Sequence, residues 1–204
     1  MRLFSYVISR DFGFAPNPFF DNCTLATCKP QIRRSAQIGD WIAGFGGKGT
    51  PVYEKLVYIM QVSEKISFDQ YWNDIRFKNK KPNFFKSLMY YYGDNIYHHD
   101  INTGIWLQEN SHHSNEEEIN YINLNKDTGA DAVLISYSYW YFGGNACMLP
   151  VEFNSVVAHG RPYKTMENEN LILGLIRWLS INYNEKLNGR PFDWKSGFTR
   201  YNGK

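Results

Sequence analysis

Four glycines crowd into the six residues from Gly44 to Gly49, directly after a Gly39-Asp40 turn and the apolar run Trp41 to Ala43. That stretch allows a turn, a buried strand and then a loop without side-chain bulk. Glycine has no Cβ and takes positive φ at little cost, so backbone in such a loop can approach a ligand closely. Arg33, Arg34 and Lys48 put positive charge on both sides of the strand. A phosphate or a nucleobase suits that setting, although a plain chain reversal needs no ligand. No Gly-Lys-Ser/Thr closes the loop and no Gly-x-Gly-x-x-Gly spacing occurs, so it is neither a Walker A loop nor a dinucleotide site.

With 204 residues and no linker rich in Pro, Gly or Ser, the chain is expected to form a single domain over 1–204, with 185–204 as a C-terminal arm. Three cysteines are an odd number, and the N-terminus has neither the charged head nor the long apolar run of a signal peptide, so a reducing cytoplasm is expected. No apolar run is long enough for a membrane span. A net charge of +2 excludes a protein that coats DNA by bulk positive charge, so any nucleic-acid contact must be local. Aromatic residues make up 17% of the chain, and such rings either stack bases or fill the core.

Residues 2–9 read as a first strand buried on both faces, and the prolines at 16 and 18 force a loop after it. Pro30 opens a short helical turn through Arg34. Residues 52–67 form the clearest strand, followed by a helix capped by Ser67. Residues 132–142 form a long aromatic strand, and the apolar spacing from Leu171 to Leu179 marks an amphipathic helix over 167–182 that closes the core. The expected fold is α+β, a mixed and curved β-sheet or partial barrel flanked by a few helices.

Four of the five histidines lie between Tyr90 and Ser114. Along an extended segment Asp94, His98 and Asp100 face one way, and His112 and His113 follow beside His99 and Trp106 in the same section. Imidazole with carboxylate makes either a divalent-metal site or a general acid/base set, and no fixed metal signature is met, so no metal is assigned and no cofactor is named. Ser114 to Glu117 resembles a capping box, which puts His112 and His113 just before a helix. Cys23 and Cys28 lack a second pair to complete four zinc ligands. Cys28, near Lys29, Arg33 and Arg34 and at the start of a helix, has surroundings that favour a thiolate, while a buried inert thiol is the plainer reading. The basic segment from Arg76 to Asn83 is a solvated loop or a phosphate contact.

Phe14-Ala-Pro-Asn-Pro-Phe19, Cys23-Thr-Leu-Ala-x-Cys-Lys-Pro30, Gly39-Asp-Trp41, Gly93-Asp-Asn-Ile-Tyr-His98, Ser111-His-His-Ser114 and Tyr141-Phe-Gly143 together resemble the second family of nucleotide-modification-associated domains. These are bacterial and phage domains proposed to act with DNA base hypermodification systems. Residues 32–66 are also similar to PUA-like modules of the EVE and ASCH type, which hold a nucleobase in an aromatic pocket. That likeness implies Trp41, Phe45 and Trp106 as stacking rings, with Arg33 and Lys48 on phosphate. The combined expectation is a protein that binds a nucleotide or DNA base and acts on it by acid/base chemistry. His98, His112 or His113 would transfer the proton, Asp94 or Asp100 would orient the ring, and Arg33, Arg34 and Lys48 would hold phosphate. The alternative is a non-catalytic PUA-like reader of modified bases that recruits or regulates a nuclease or modification enzyme; the expected partners are a nucleotide or DNA base and other base-modification or phage-defence proteins.

Overall fold

The structure, a computed structural model, describes residues 1–116, 118–160 and 163–203. In chain order the elements are β1 (Leu3–Ile8), β2 (Cys23–Leu25), α1 (Pro30–Ser35), β3 (Trp41–Gly46), β4 (Leu56–Gln61), β5 (Glu64–Ile66), α2 (Phe68–Asn73), α3 (Leu88–Tyr91), β6 (Tyr97–His99) and β7 (Trp106–Gln108). There follow α4 (Tyr121–Thr128), β8 (Val133–Ser136), β9 (Tyr139–Tyr141), β10 (Lys164–Met166), α5 (Glu169–Asn182) and β11 (Lys186–Leu187). The main sheet runs β10-β1-β3-β4-β9-β11, a smaller one runs β2-β8-β5, and β6 pairs with β7. β1 lies parallel to β3 and β9 parallel to β11, while the remaining pairs are antiparallel. The fold is therefore α+β with mixed sheets, and because β10 and β11 remain as edges the main sheet does not close into a barrel.

Two expected long strands each serve both sheets. The 52–67 stretch gives β4 to the main sheet and β5 to the small one, and the 132–142 stretch gives β8 and β9 in the same way. The ribbon bends where Gln61 N–H donates to Ser138 O, Ser63 N–H donates to Ile135 O and Tyr137 N–H donates to Ser63 Oγ. Strands that switch sheets at a bend are one way to turn a corner between layers.

Alternation then sorts the core. Leu3, Trp41, Ala43, Phe45, Ile59 and Trp140 face α5, whose Ile172, Leu175 and Leu179 are fully buried, each worth roughly 1.5–3 kcal/mol. Phe4, Tyr6, Ile8, Ile42, Tyr58 and Met60 face the small sheet and α1. Beyond the small sheet, Phe68, Tyr71, Tyr97 and Leu124 from α2, the hairpin and α4 pack on Val133 and Ile135. α2 carries its capping box between Ser67 and Gln70. α4 starts later than the Ser114 signal suggests, capped by Asn120 through Ile122 N–H and Asn123 N–H, and Glu117 of the expected box lies outside the described residues.

Of the expected arm at 185–204, the described residues 185–203 lie back across the chain. Trp194 Nε1 donates to Phe12 O, Thr199 N–H to Tyr92 Oη and Tyr201 N–H to His112 O. The loops holding Cys28 and His113, and the last turn of α4, thereby meet where the small sheet joins the outer layer. Among the described residues no helix is long and apolar enough to cross a membrane.

Candidate functional site

Cys28 follows β2 and immediately precedes α1. Its φ is 57° and that of Lys29 is 42°, two successive left-handed residues that are not glycine. Such backbone is uncommon and persists only where its surroundings hold it. Here Cys28 N–H donates to Asp127 Oδ1 at 2.7 Å, and Arg33 Nε donates to Cys28 O at 2.8 Å. Held in this way, Sγ stands 3.9 Å from His113 Nε2. The other ring nitrogen, Nδ1, is 2.7 Å from Asp127 Oδ2. Tyr97 Oη donates to the same carboxylate oxygen at 2.9 Å. Thiol, imidazole and carboxylate thus stand in line, with the ring between the other two.

Charge follows from that line. Burial disfavours an imidazolium at His113, but Asp127 and Cys28 outweigh it and push the ring up to about 10. Asp127 is held below the usual carboxylate range: its burial acts the other way, and the His113 and Arg33 charges prevail. At neutral pH the pair is an ion pair, both ring N–H groups donate, and Nε2–H faces sulfur. A histidine held here can pass a proton between sulfur and a substrate. Of the three cysteines only Cys28 is not buried, and burial pushes the Cys147 thiol up to about 12 and raises Cys23 as well. His112, one residue from the base, takes the opposite state. Burial first, then the His113 charge, push it down to about 3, and its ring is wedged among Phe12, Phe14 and Tyr92.

The other residues singled out in the sequence are dispersed. Arg33 is fully buried, and its guanidinium donates to the carbonyls of Cys28, Asp127, Ala130 and Ala132, so it braces the site from behind and has no open face for phosphate. Arg34 is exposed and donates to Gly129 O, and Lys48 is exposed in the turn after β3. Trp41 and Phe45 lie in the core against α5, where no base can reach their rings. Three of the four glycines of the run are packed, and only Gly49, at φ 92°, is open: a Cβ at Gly44 would stand 2.3 Å from Ile8 Cδ1. Asp94 is fully buried, accepting from Thr24 and Tyr71, and burial raises it despite Lys80. His98 stacks on Trp72 at 4.0 Å and meets Glu109 at 3.0 Å. Asp100 caps the turn at Asn102 and Thr103, and half-buried Trp106 lies against His99. Asp94, His98 and Asp100 do not converge, because only His98 is on β6. Within the basic segment Arg76 is paired with Glu64 and Asp74, and Lys80 is buried on Asn17 and Asn22.

Of the expected acid/base set, His113 alone faces a nucleophile. Its orienting carboxylate, Asp127, carries no local signal, since it sits in the last turn of a short helix and meets Cys28 from 99 residues away. Cys28 Sγ, His113 and Asp127 also lie close enough to share a cation, their donor atoms falling within 4.8 Å of one another. However, both Asp127 oxygens are taken by N–H and O–H donors and His113 Nδ1 faces the carboxylate, which leaves Sγ and Nε2 as donors. Two donors do not complete the four-coordinate shell that zinc takes.

A half-buried cysteine, a histidine and a carboxylate in line at the seam of two layers define an α+β protein with a thiol–imidazole–carboxylate site. The chain belongs to the family described as nucleotide modification associated domain 2, whose model matches residues 1–198. That description connects it with nucleotide modification. No curated protein and no solved structure matches it.

Proposed function

We propose that this protein modifies a nucleotide or a DNA base by covalent thiol chemistry, with Cys28 as nucleophile, His113 as general acid and base, and Asp127 holding the ring. The observation that carries this reading is the line from Sγ through Nε2 and Nδ1 to Oδ2 at 3.9 and 2.7 Å. In the first step the thiolate forms a C–S bond to an electrophilic carbon. The electron pair displaced from that carbon goes to the leaving group or onto the substrate's heteroatom, and His113 Nε2 delivers the proton that neutralises it. Asp127 keeps Nδ1–H bonded throughout, so the ring presents Nε2 in both directions of transfer. The burial of Trp41 and Phe45 removes the stacking rings that a base reader built on β3 would need.

The test is alkylation with iodoacetamide between pH 5.5 and 9, quantified for each cysteine by peptide mass spectrometry. Cys28 is expected to react at least about ten-fold faster than Cys23 and Cys147, which are buried, and Asp127→Asn and His113→Gln are expected to slow it. If both variants leave the Cys28 rate unchanged, the covalent reading fails.

A further inference from the structure

Beside the histidine pair, the 110–116 loop and the C-terminal arm border a shallow, solvent-open recess of about 430 Å³ lined by Asn110, Glu116, Phe198, Thr199 and Arg200. Building on the reading above, we propose that this recess holds the nucleotide substrate, with Arg200 on the phosphate and Phe198 against the base.

Three observations meet there. Arg200 is fixed by Nη1, which donates to Ser111 O at 2.6 Å and Ser114 Oγ at 3.0 Å, and among the described residues its Nε and Nη2 have no hydrogen-bond partner. A guanidinium braced on one side and open on the other is prepared for an anion, because its planar fork matches two phosphate oxygens. Phe198 sets a half-buried ring beside that charge: the guanidinium carbon lies over it, 5.3 Å from its centroid, Phe84 and Tyr91 meet it edge-on at 5.1 and 5.9 Å, and Tyr92 packs at a tilt, so a base reaches its exposed edge. An aromatic ring next to a cation suits a base and its phosphate together, and stacking tolerates any base. Asn110 and Glu116 supply acceptors for an exocyclic amine or a sugar hydroxyl.

The arm that borders the recess also touches the histidine pair. Thr199 O bonds the His112 ring, Tyr201 N–H bonds His112 O, and the Tyr201 ring lies 5.4 Å from that of His113. A free mononucleotide and a nucleotide within a strand share this chemistry.

Nucleoside monophosphates, inorganic phosphate and a short single-stranded oligodeoxynucleotide are titrated by calorimetry against wild type, Arg200→Ala, Arg200→Lys and Phe198→Ala. Saturable binding of a mononucleotide or the oligonucleotide is expected. Arg200→Ala weakens it at least about ten-fold and Arg200→Lys weakens it less. Phe198→Ala weakens nucleotide binding while inorganic phosphate still competes, and the tighter of the two ligands identifies the source. Ultraviolet cross-linking of 5-bromodeoxyuridine monophosphate to wild type reads the same site without substitution. An adduct on the Phe84 or Phe198 peptide supports the proposal, whereas an adduct elsewhere, no saturable binding, or binding that both alanine variants leave unchanged overturns it. Cys28 alkylation is measured on unliganded wild type, so failure of the recess and failure of the covalent reading are separate results.

Discussion

His113 and Asp127 sit where two opposed effects are balanced at single-residue scale. Burial penalises both charges, yet their 2.7 Å contact, with Tyr97 and Arg33 around it, keeps them ionised. The linkage to stability has a definite sign. In the folded chain His113 keeps its proton up to about 10, while the unfolded chain releases it near 6.5, so between those values the folded state binds more protons and stability falls as pH rises. Lys80, pushed down to about 8 by burial, acts oppositely between 8 and its ordinary value of 10.5. Comparing wild type with His113→Gln cancels the Lys80 contribution. Above pH 6.5, where His112 is neutral folded and unfolded, the wild-type advantage in thermal midpoint is therefore expected to be largest near pH 6.5 and to fade towards pH 10. A difference that stays constant from pH 6 to 10 would show that His113 is not charged in the folded state. The sequence displayed one member of this site plainly, because two adjacent histidines in a polar run attract attention. Cys28 was visible but ambiguous, since the basic residues near it in sequence do different work: Arg33 turns inward to backbone carbonyls. Asp127 was not visible at all, because its partners are set by how α4 docks.

At the level of elements, β3 explains why the glycine run misleads. Gly44 and Gly46 are strand residues whose missing side chains admit neighbours, and a Cβ at Gly46 would stand 1.9 Å from Val52 O. An adjacent backbone carbonyl cannot rotate away as a side chain would. Gly46→Ala is accordingly expected to lower stability by about 2–4 kcal/mol in urea unfolding, with no change in any phosphate affinity. A neutral result would mean that the loop after β3 is slack enough to shift. Period-two and helical patterns made β1, β3, α2 and α5 legible, since each has one or two faces committed to a core. The bends in the 52–67 and 132–142 stretches fall at Ser63 and at Ser136 to Ser138, and β5 beyond the first bend is half-buried Glu64-Lys65-Ile66. A serine inside a strand-like run, without Gly or Pro beside it, gives no turn signal, so each stretch reads as one strand.

For the whole molecule, the C-terminal arm ties the layers to one another and the site to the arm. Its backbone and side chains bond Phe12 from the loop after β1, Tyr92 before the hairpin, the 111–114 loop and Asn123 of α4. Those contacts join residues between 78 and 182 apart in sequence. The 111–114 loop carries His113, and it is held from one side by Asp127 and Gln108 and from the other by Thr199, Arg200 and Tyr201. Ending the chain after Gly197 removes the second side while leaving Trp194 packed. The shortened protein is expected to fold, with a thermal midpoint lower by about 5 °C, in line with a loss of a few kcal/mol in a chain of this length. Its Cys28 should lose the rapid alkylation at pH 6.5, because a loop anchored on one side no longer keeps Nε2 within reach of sulfur. Retention of that reactivity in the shortened chain would instead mean that Asp127 and Gln108 suffice to hold His113 in place, and that the arm serves the recess alone.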